Sequence, residues 1–397
     1  MEKYDITKQI TLPVGMYKLN NDPSISFQLN RLVNMDGCDI SVAKEIGPAI
    51  KNTDDFYTVL KNRADIELAE GHLKNAAALY RMSEFFTDWE DPNGLAAWKK
   101  ARELFHIYYA DYFAGSSPLI ELINVPYENY TMPTLRFNPE SSKGVIVMHG
   151  GFDSSYEEFF CECEYLREHG YTVYLFEGPG QGECIRIHGS SLPIEWEKPV
   201  MAITKYFDLH DVTLIGQSLG GFYAPRASAF DDRVTRCVSI AQFGALKMNF
   251  YDNAFVNGLV WGALNVLLFL FGWLINILYA AKKGKGMAFF RTYFHRLGTT
   301  NVYKLLKYLH AIDLRPIADR LTKDYLIIGG SKDTMACRAG IGRHMFILEN
   351  AKSVAAREIT EKEHGADHCI CGNQKLGMDT VLLWLESMRL RDEGGKD

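Results

Sequence analysis

A serine set between two glycines is the residue of this chain best suited to nucleophilic chemistry. Residues 216–220 read Gly-Gln-Ser-Leu-Gly, and they follow the short apolar run 212–215. Small residues two before and two after a serine permit a sharp strand-to-helix turn, because a Cβ at either place would collide with the strand or the helix. The pattern by itself would also fit a plain glycine-rich turn. With a strand before it and a helix after it, the segment predicts that Ser218 is a nucleophile.

The hydroxyl of Ser218 needs two partners, because a serine is a weak nucleophile at neutral pH. A base must take its proton, and an acid must orient the base. Asp333 follows the apolar run 325–330, whereas Asp319 and Asp324 precede that run and so lie at the wrong end of the strand. Asp333 could also cap a helix near residues 339–340. The chain order of nucleophile, then acid, then histidine favours Asp333 as the orienting acid.

Two histidines follow the last predicted strand and are candidates for the base. His364 and His368 stand four residues apart in Glu-His-Gly-Ala-Asp-His-Cys. That spacing also suits two zinc ligands on one helix, but Gly365 between them and the surrounding carboxylates make such a site unfavourable. We therefore predict no metal at this place. As a candidate base, His368 lies closer to the final helix than His364 does.

Backbone N–H groups must receive the negative charge that develops on a carbonyl oxygen under attack. The residue after the nucleophile, Leu219, predicts one donor. Residues 145–152 read Val-Ile-Val-Met-His-Gly-Gly-Phe, an apolar strand that ends in the His-Gly-Gly form expected of the second donor loop. Gly151 is the favoured donor of that loop, and Phe152 is the alternative.

The composition sets the class of protein that must hold these groups. The chain has 397 residues, 47% of them apolar, and a formal net charge of −6. This is an ordinary globular composition without the basic clusters that nucleic acid requires, and the run 282–285 is too short to supply one. Eight cysteines without Cys-x-x-Cys spacing indicate reduced thiols, and the N-terminus lacks a signal-like pattern. We expect a cytoplasmic protein without a cofactor.

Four segments follow from the pattern along the chain. Residues 1–118 are predicted to form a helical domain, with a hairpin of two helices broken at 91–94. Residues 119–244 and 321–397 are predicted to form an α/β core, and residues 245–320 an insertion. The core begins with two short strands at 120–125 and 132–137 and then alternates strands and helices, which favours a mostly parallel sheet. The remaining strands are predicted at 144–148, 172–176, 212–215, 234–240, 324–328 and 353–359.

The insertion contains an unusually apolar stretch. Residues 254–281 carry no charge, and their length would permit a membrane span. A single span would separate Ser218 from Asp333, so we predict two lid helices broken near Gly262 or Gly272, buried over the site and without stable membrane insertion. Trp261, Phe269 and Trp273 would then line the substrate pocket. Contact of the lid with a membrane surface or with another subunit is the alternative.

Four motifs together resemble a known group of proteins. They are His-Gly-Gly-Phe-Asp-Ser-Ser at 149–155, Glu-Gly-Pro-Gly-Gln-Gly-Glu at 177–183, the serine motif at 216–221, and His-Cys-x-Cys-Gly-Asn at 368–373. The chain resembles α/β-hydrolases with an N-terminal helical region. That group includes bacterial dihydroxypseudooxynicotine-type hydrolases, fungal polyketide-shortening hydrolases and proteins labelled acylaminoacyl or dipeptidyl peptidases.

The resemblance implies roles for particular residues. It places the triad at Ser218, Asp333 and His368, and it selects His368 over His364. Some carbon–carbon bond hydrolases of the group use a carboxylate about thirty residues after the serine, where this chain has Lys-Met-Asn at 247–249 and Asp252 nearby.

Together these features predict a serine hydrolase of the α/β-hydrolase fold that cleaves an ester, an amide or an activated ketone. Its partner would be a small molecule or a short peptide with an apolar portion, and a homodimer is compatible with the helical domain. An acylaminoacyl or oligopeptide peptidase is the nearest alternative. From another class, the scaffold could be a binding protein without catalysis.

Overall fold

The computed structural model of the chain describes residues 2–241, 243–248, 251–281 and 287–394. Its centre is a sheet of eight strands in the order β1-β2-β4-β3-β5-β6-β7-β8. The strands are β1 (Ile120–Tyr127), β2 (Tyr130–Phe137), β3 (Val145–His149), β4 (Thr172–Phe176), β5 (Val212–Gln217), β6 (Val234–Ile240), β7 (Asp324–Gly330) and β8 (Ser353–Ile359). Each strand lies where its apolar run predicted it, and every strand end is within two residues of the predicted position.

The sheet is parallel from β3 to β8, and β2 runs against its neighbours β1 and β4. Strands β5 and β7 are buried along their whole length, as expected of parallel strands covered by helices on both faces. The carboxyl ends of β3, β5 and β7 therefore meet at one edge of the sheet. This edge carries Ser218 after β5, Asp333 after β7 and the predicted donor loop after β3.

The N-terminal part has more helices than the predicted hairpin. They are α1 (Pro23–Asn34), α2 (Ile40–Ile46), α3 (Thr53–Glu70), α4 (Leu73–Ser83) and α5 (Pro92–Tyr108). The break at 91–94 is the start of α5, where Asp91 caps the helix and Pro92 occupies its first turn. A further break at Gly71, which adopts φ +87° and ends α3, was missed.

The remaining helices cover the sheet and form the insertion. Those of the core are α6 (Phe160–Glu168), α7 (Gly182–Arg186), α8 (Glu197–Tyr206), α9 (Gly220–Ser228), α13 (Gly340–Ile347) and α14 (Gln374–Gly394). Those of the insertion are α10 (Ala254–Ala280), α11 (Met287–Arg296) and α12 (Val302–Ala311). The run 282–285 and Asn249 lie outside the described residues.

The predicted lid is wrong in two respects. Helix α10 is continuous over 27 residues, without a break at Gly262 or Gly272. It is also exposed rather than buried, since few of its side chains lie inside the protein. Gly262 has open space around it, and Gly272 lets Val302 of α12 approach closely. An apolar composition predicted burial, but the structure places most of α10 on the surface.

Buried ion pairs join the N-terminal helices to the core. Arg102 of α5 bonds to the carboxylates of Glu157, Glu177 and Glu183 and to the hydroxyl of Ser155. Arg102 and its two main partners, Glu157 and Glu177, are almost fully buried. The N–H groups of a buried guanidinium all need acceptors, and carboxylates supply them because their two oxygens match the planar fork of N–H donors.

Candidate active site

Ser218 occupies the sharp turn between β5 and α9. Its backbone has φ +59°, a left-handed conformation that is uncommon for a residue other than glycine. A Cβ on Gly216 would lie 2.1 Å from the Gly220 carbonyl oxygen, so the turn requires glycine there. The strained backbone holds the serine hydroxyl at the carboxyl edge of the sheet, as a nucleophile elbow requires.

The structure brings the three predicted triad residues together. Ser218 Oγ lies 2.8 Å from His368 Nε2, and His368 Nδ1 lies 2.9 Å from Asp333 Oδ2. The other oxygen of Asp333 accepts the N–H groups of Met335 at 2.7 Å and Ala336 at 3.1 Å. Asp333 thus closes the turn after β7 and orients the imidazole. It does not cap the helix near residues 339–340, which begins at Gly340 with Ala339 at its N-cap.

Two opposing effects set the pKa of His368. Burial lowers the pKa of the imidazole, but the Asp333 carboxylate raises it more, so the pKa lies well above its ordinary value. When a neutral imidazole takes the serine proton, the positive charge that forms faces the Asp333 carboxylate at 2.9 Å. The chain turns sharply after His368, since Cys369 and Ile370 both adopt positive φ values.

The other candidates for base and carboxylate are exposed side chains. His364 is exposed and ends a short turn in the left-handed conformation. Asp252 accepts the backbone N–H of Ala339 at 2.7 Å and is exposed. No hydrogen bond in the described part of the chain links either residue to the triad.

The donor loop after β3 lies against the nucleophile. A Cβ on Gly151 would stand 2.6 Å from the backbone nitrogen of Leu219 and 2.8 Å from Ser218 Cβ, so the loop approaches as closely as glycine permits. The Gly151 N–H, however, donates to Ser154 Oγ at 2.7 Å. The sequence-based preference for Gly151 as donor is therefore unsupported. Among the described hydrogen bonds, none uses the backbone N–H of Phe152 or Leu219.

Gln181 holds the donor loop, a role that the sequence analysis missed. Its side-chain amide donates to the carbonyl oxygens of Gly150 at 3.0 Å and Gly151 at 2.7 Å, while its amide oxygen accepts the N–H of Gly178 at 3.0 Å. Glu177 at the start of the same motif accepts the backbone N–H groups of Tyr156 and Glu183. The Glu-Gly-Pro-Gly-Gln-Gly-Glu motif could have pointed to this support, because glutamine is its one neutral polar side chain.

Two aromatic contacts lie at the base and at the donor loop. Phe243 lies 6.0 Å from the His368 ring, and Tyr293 of α11 lies 4.7 Å from Phe152, measured between ring centroids. Among the predicted pocket residues, Phe269 is 73% exposed and Trp273 is 55% exposed. The prediction that they are buried over Ser218 is thus wrong.

Trp261, the third predicted pocket residue, is buried against α12. Its ring centroid lies 4.9 Å from that of His310. The segment of the insertion that reaches the donor loop is α11, where Arg296 also donates to the Gly180 carbonyl at 2.9 Å.

A buried carboxyl group lies behind the nucleophile. Glu162 of α6 is almost fully buried and accepts a hydrogen bond from Gln217, the residue before Ser218. Burial raises the pKa of Glu162 to about 8, although the Gln217 amide opposes the shift. Glu162 is therefore protonated in the folded protein at neutral pH.

We predict that Glu162→Gln alters the pH dependence of stability. In the unfolded chain Glu162 loses its proton above about pH 4.5, whereas in the folded protein it keeps the proton up to about pH 8. The contribution of Glu162 to the free energy of unfolding is therefore fully present below about pH 4.5. Its contribution is lost as the pH rises to about 8, by up to several kcal/mol. Urea unfolding between pH 5 and 8 should show a flatter profile for Glu162→Gln than for the wild type. The exposed Glu386→Gln should retain the wild-type slope, and an unchanged slope in Glu162→Gln would contradict the assignment.

Comparisons with known proteins identify the fold that carries this site. A family model described as the alpha/beta hydrolase fold matches residues 144–338. The hydrolase acrC of Aspergillus aculeatus is 33% identical over 209 residues, which are 44% of this chain and 47% of that protein. The 20-hydroxy-prefusarin hydrolase FUS2 of Gibberella moniliformis is 29% identical over 225 residues, which are 52% of this chain and 53% of that protein. The chain spans about half the length of these two relatives.

Solved structures show the same fold over most of the chain. The 2,6-dihydroxy-pseudo-oxynicotine hydrolase superposes with a TM-score of 0.58 at 19% identity, covering 87% of this chain and 91% of the other. AbyA5 superposes with a TM-score of 0.62 at 14% identity, covering 87% and 89%. The comparisons support an enzyme of this class. The chain therefore has the α/β-hydrolase fold, with an N-terminal helical region, and resembles the fungal hydrolases.

Proposed function

We propose that this chain is a serine hydrolase that cleaves an ester, an amide or an activated ketone through an acyl-enzyme on Ser218. The observation that carries the proposal is the continuous hydrogen-bonded line from Ser218 through His368 to Asp333. Such a line serves nucleophilic catalysis, whereas a binding protein on the same scaffold would have no need of it.

The geometry supports a two-step reaction. Ser218 Oγ attacks the substrate carbonyl carbon while His368 Nε2 takes the hydroxyl proton, and Asp333 stabilises the imidazolium that forms. The backbone N–H groups of Phe152 and Leu219 are the proposed donors to the oxyanion, since no described hydrogen bond occupies them. The leaving group departs with the proton from His368. Water, activated by the same histidine, then releases the acyl group and restores Ser218.

An apolar portion of the substrate is supported by the rings around the triad. Phe152, Phe243 and Tyr293 stand at the donor loop and at the base. Apolar side chains at the point of attack favour substrates whose acyl or aryl part gains from leaving water.

The acyl-enzyme is tested by rapid mixing with a p-nitrophenyl ester. Formation of the acyl-enzyme ahead of its hydrolysis should give a burst of p-nitrophenol in proportion to the enzyme, and mass spectrometry should locate the acyl group on the peptide containing Ser218. Binding of the ester without any release of p-nitrophenol would favour the non-catalytic alternative. Preference for N-acylated peptides over simple esters would favour the peptidase.

We predict that Phe243→Ala changes the substrate preference. Removing a ring beside His368 should lower kcat/KM for esters with long acyl chains by about tenfold relative to acetate esters, because part of the apolar contact is lost. The matched control is Phe269→Ala, which removes a ring that is 73% exposed on α10. An unchanged ratio in Phe243→Ala would place the acyl portion elsewhere.

A further inference from the structure

Helix α10 carries a continuous apolar surface on the outside of the protein. We name the exposed apolar side chains between Phe255 and Leu278 the apolar face of α10. Phe269 is 73% exposed, Leu259 58%, Trp273 55% and Ile277 54%. By length and composition α10 could cross a membrane, and it is the one helix of the described residues that meets this measure. Exposed apolar surface of this extent needs a partner.

The polarity of α10 is inverted relative to a helix on a water-soluble protein. Its polar side chains Asn257, Asn265 and Asn276 point toward the protein. Asn257 donates to the Lys247 carbonyl oxygen at 2.6 Å, Asn276 accepts the N–H of Val302 at 2.8 Å, and Asn265 bonds to the His310 ring. A helix that faced water would present its amides outward. This helix presents its apolar side chains instead, as a helix does when its outer surroundings are apolar.

The breadth of the apolar face favours lipid over a protein partner. With 3.6 residues per turn, the exposed positions of α10 cover an arc of about 200°. A single partner helix covers a stripe of roughly 100°. A second copy packed on α10 would therefore leave much of the face in water, whereas acyl chains surround whatever part of a helix enters them.

The contacts of α10 exclude a membrane crossing. Helix α12 lies along it, from His310 beside Trp261 to Val302 beside Gly272. Between these two contacts α12 carries the exposed residues Lys304 and Lys307. A crossing would carry both lysines into hydrocarbon, which is unfavourable. The helix can instead lie in the plane of a membrane surface with the rest of the protein above it.

The charge of the insertion suits an anionic membrane surface. No acidic residue occurs between Asp252 and Asp313, although the chain as a whole has a net charge of −6. Of the basic residues in the described part of that segment, Arg291 pairs with Asp88 and Arg296 is buried, so Lys304 and Lys307 remain exposed. Exposed lysines beside an apolar helix attract anionic head groups.

We propose that the apolar face of α10 seats the protein on a lipid bilayer surface, with the helix axis parallel to the membrane. The attachment is peripheral, because α12 holds the part of α10 from Trp261 to Asn276 on the protein. This inference is independent of the proposed hydrolase activity. Helix α10 begins about ten residues after Phe243, which lies beside His368. The apolar face of α10 is therefore close in sequence to the candidate active site.

Co-sedimentation with vesicles tests the proposal. The full chain should pellet with phosphatidylcholine vesicles and more strongly with vesicles that also contain phosphatidylglycerol. Phe269→Glu combined with Ile277→Glu should lower the partition coefficient by at least about tenfold, because both side chains would enter the membrane interface. Leu383→Glu is the matched control, since Leu383 is 74% exposed on α14. This variant should keep the partition coefficient within about twofold of the wild type. Unfolding temperatures close to the wild type would show that the double variant is folded.

Quenching of tryptophan fluorescence gives a second measurement. Trp273 lies on the apolar face, so brominated phospholipids should quench the bound protein, and Trp273→Phe should remove most of that quenching. Two results would overturn the proposal. One is a wild-type chain that stays in the supernatant with both vesicle types. The other is a lipid-free dimer that the double glutamate variant separates into monomers without any change in vesicle binding.

Discussion

Replacing Ser218 by alanine should lower kcat for an activated ester by about 10⁶-fold and abolish labelling by a fluorophosphonate probe. The reason is geometric, since Ser218 Oγ is the hydroxyl that lies 2.8 Å from His368 Nε2 at a strained turn. Without it, the remaining N–H donors still bind a carbonyl oxygen but no acyl bond can form. Active-site labelling followed by gel fluorescence, together with steady-state kinetics, measures both effects.

A matched control is Ser142→Ala, which removes an exposed serine from the same core. It should keep the wild-type rate and the wild-type labelling. Persistent labelling of Ser218→Ala would mean that another residue is the nucleophile, and the proposed acyl-enzyme would then be wrong.

Replacing His368 by alanine should reduce kcat nearly as much as Ser218→Ala, whereas His364→Ala should keep most of the activity. His368 bridges Ser218 and Asp333 at 2.8 and 2.9 Å, while His364 is exposed and outside this line. The two histidines are four residues apart, so the pair is its own matched control. Full kinetics for both variants, with equal unfolding temperatures, make the comparison.

The double variant of Ser218 and His368 should be little worse than either single variant, because residues that act as a unit are not additive. Additive losses would indicate that the two residues act in separate steps. A large loss in His364→Ala with activity retained in His368→Ala would reverse the assignment of the base.

The strands and the order of the reactive residues could be predicted because their signals are local. An apolar run bounded by turn residues marks β5 or β7 without knowledge of its neighbours, and the glycines around Ser218 mark the turn. The position of Asp333 just after β7 then follows from the common edge of a parallel sheet.

The location of α10 could not be predicted from its composition. An uncharged stretch indicates an apolar partner, but composition does not say whether that partner is the protein interior or something outside it. The helical spacing of Asn257, Asn265 and Asn276 held the missing signal, because it places all three amides on one side and leaves the rest of the helix apolar.

The donor loop shows a different limit. The His-Gly-Gly pattern located the loop, yet the choice between Gly151 and Phe152 depends on the hydroxyl of Ser154, which reaches back to the Gly151 N–H. The contact between Gln181 and the same loop joins segments thirty residues apart. Such pairings depend on how two loops meet at the sheet edge, and neither segment encodes them alone.

The N-terminal helices and the sheet share one hydrophobic cluster, which includes Leu29 and Phe56 of the helices and Ile146 and Leu175 of the sheet. The consequence is that the helices are not a removable accessory. A chain cut before β1 would uncover this cluster and leave Glu157 and Glu177 without Arg102, an uncompensated buried charge. Melting should therefore proceed as one cooperative transition, and the loop that carries the proposed oxyanion donors should lose its shape at the same temperature as the helices far from it in sequence.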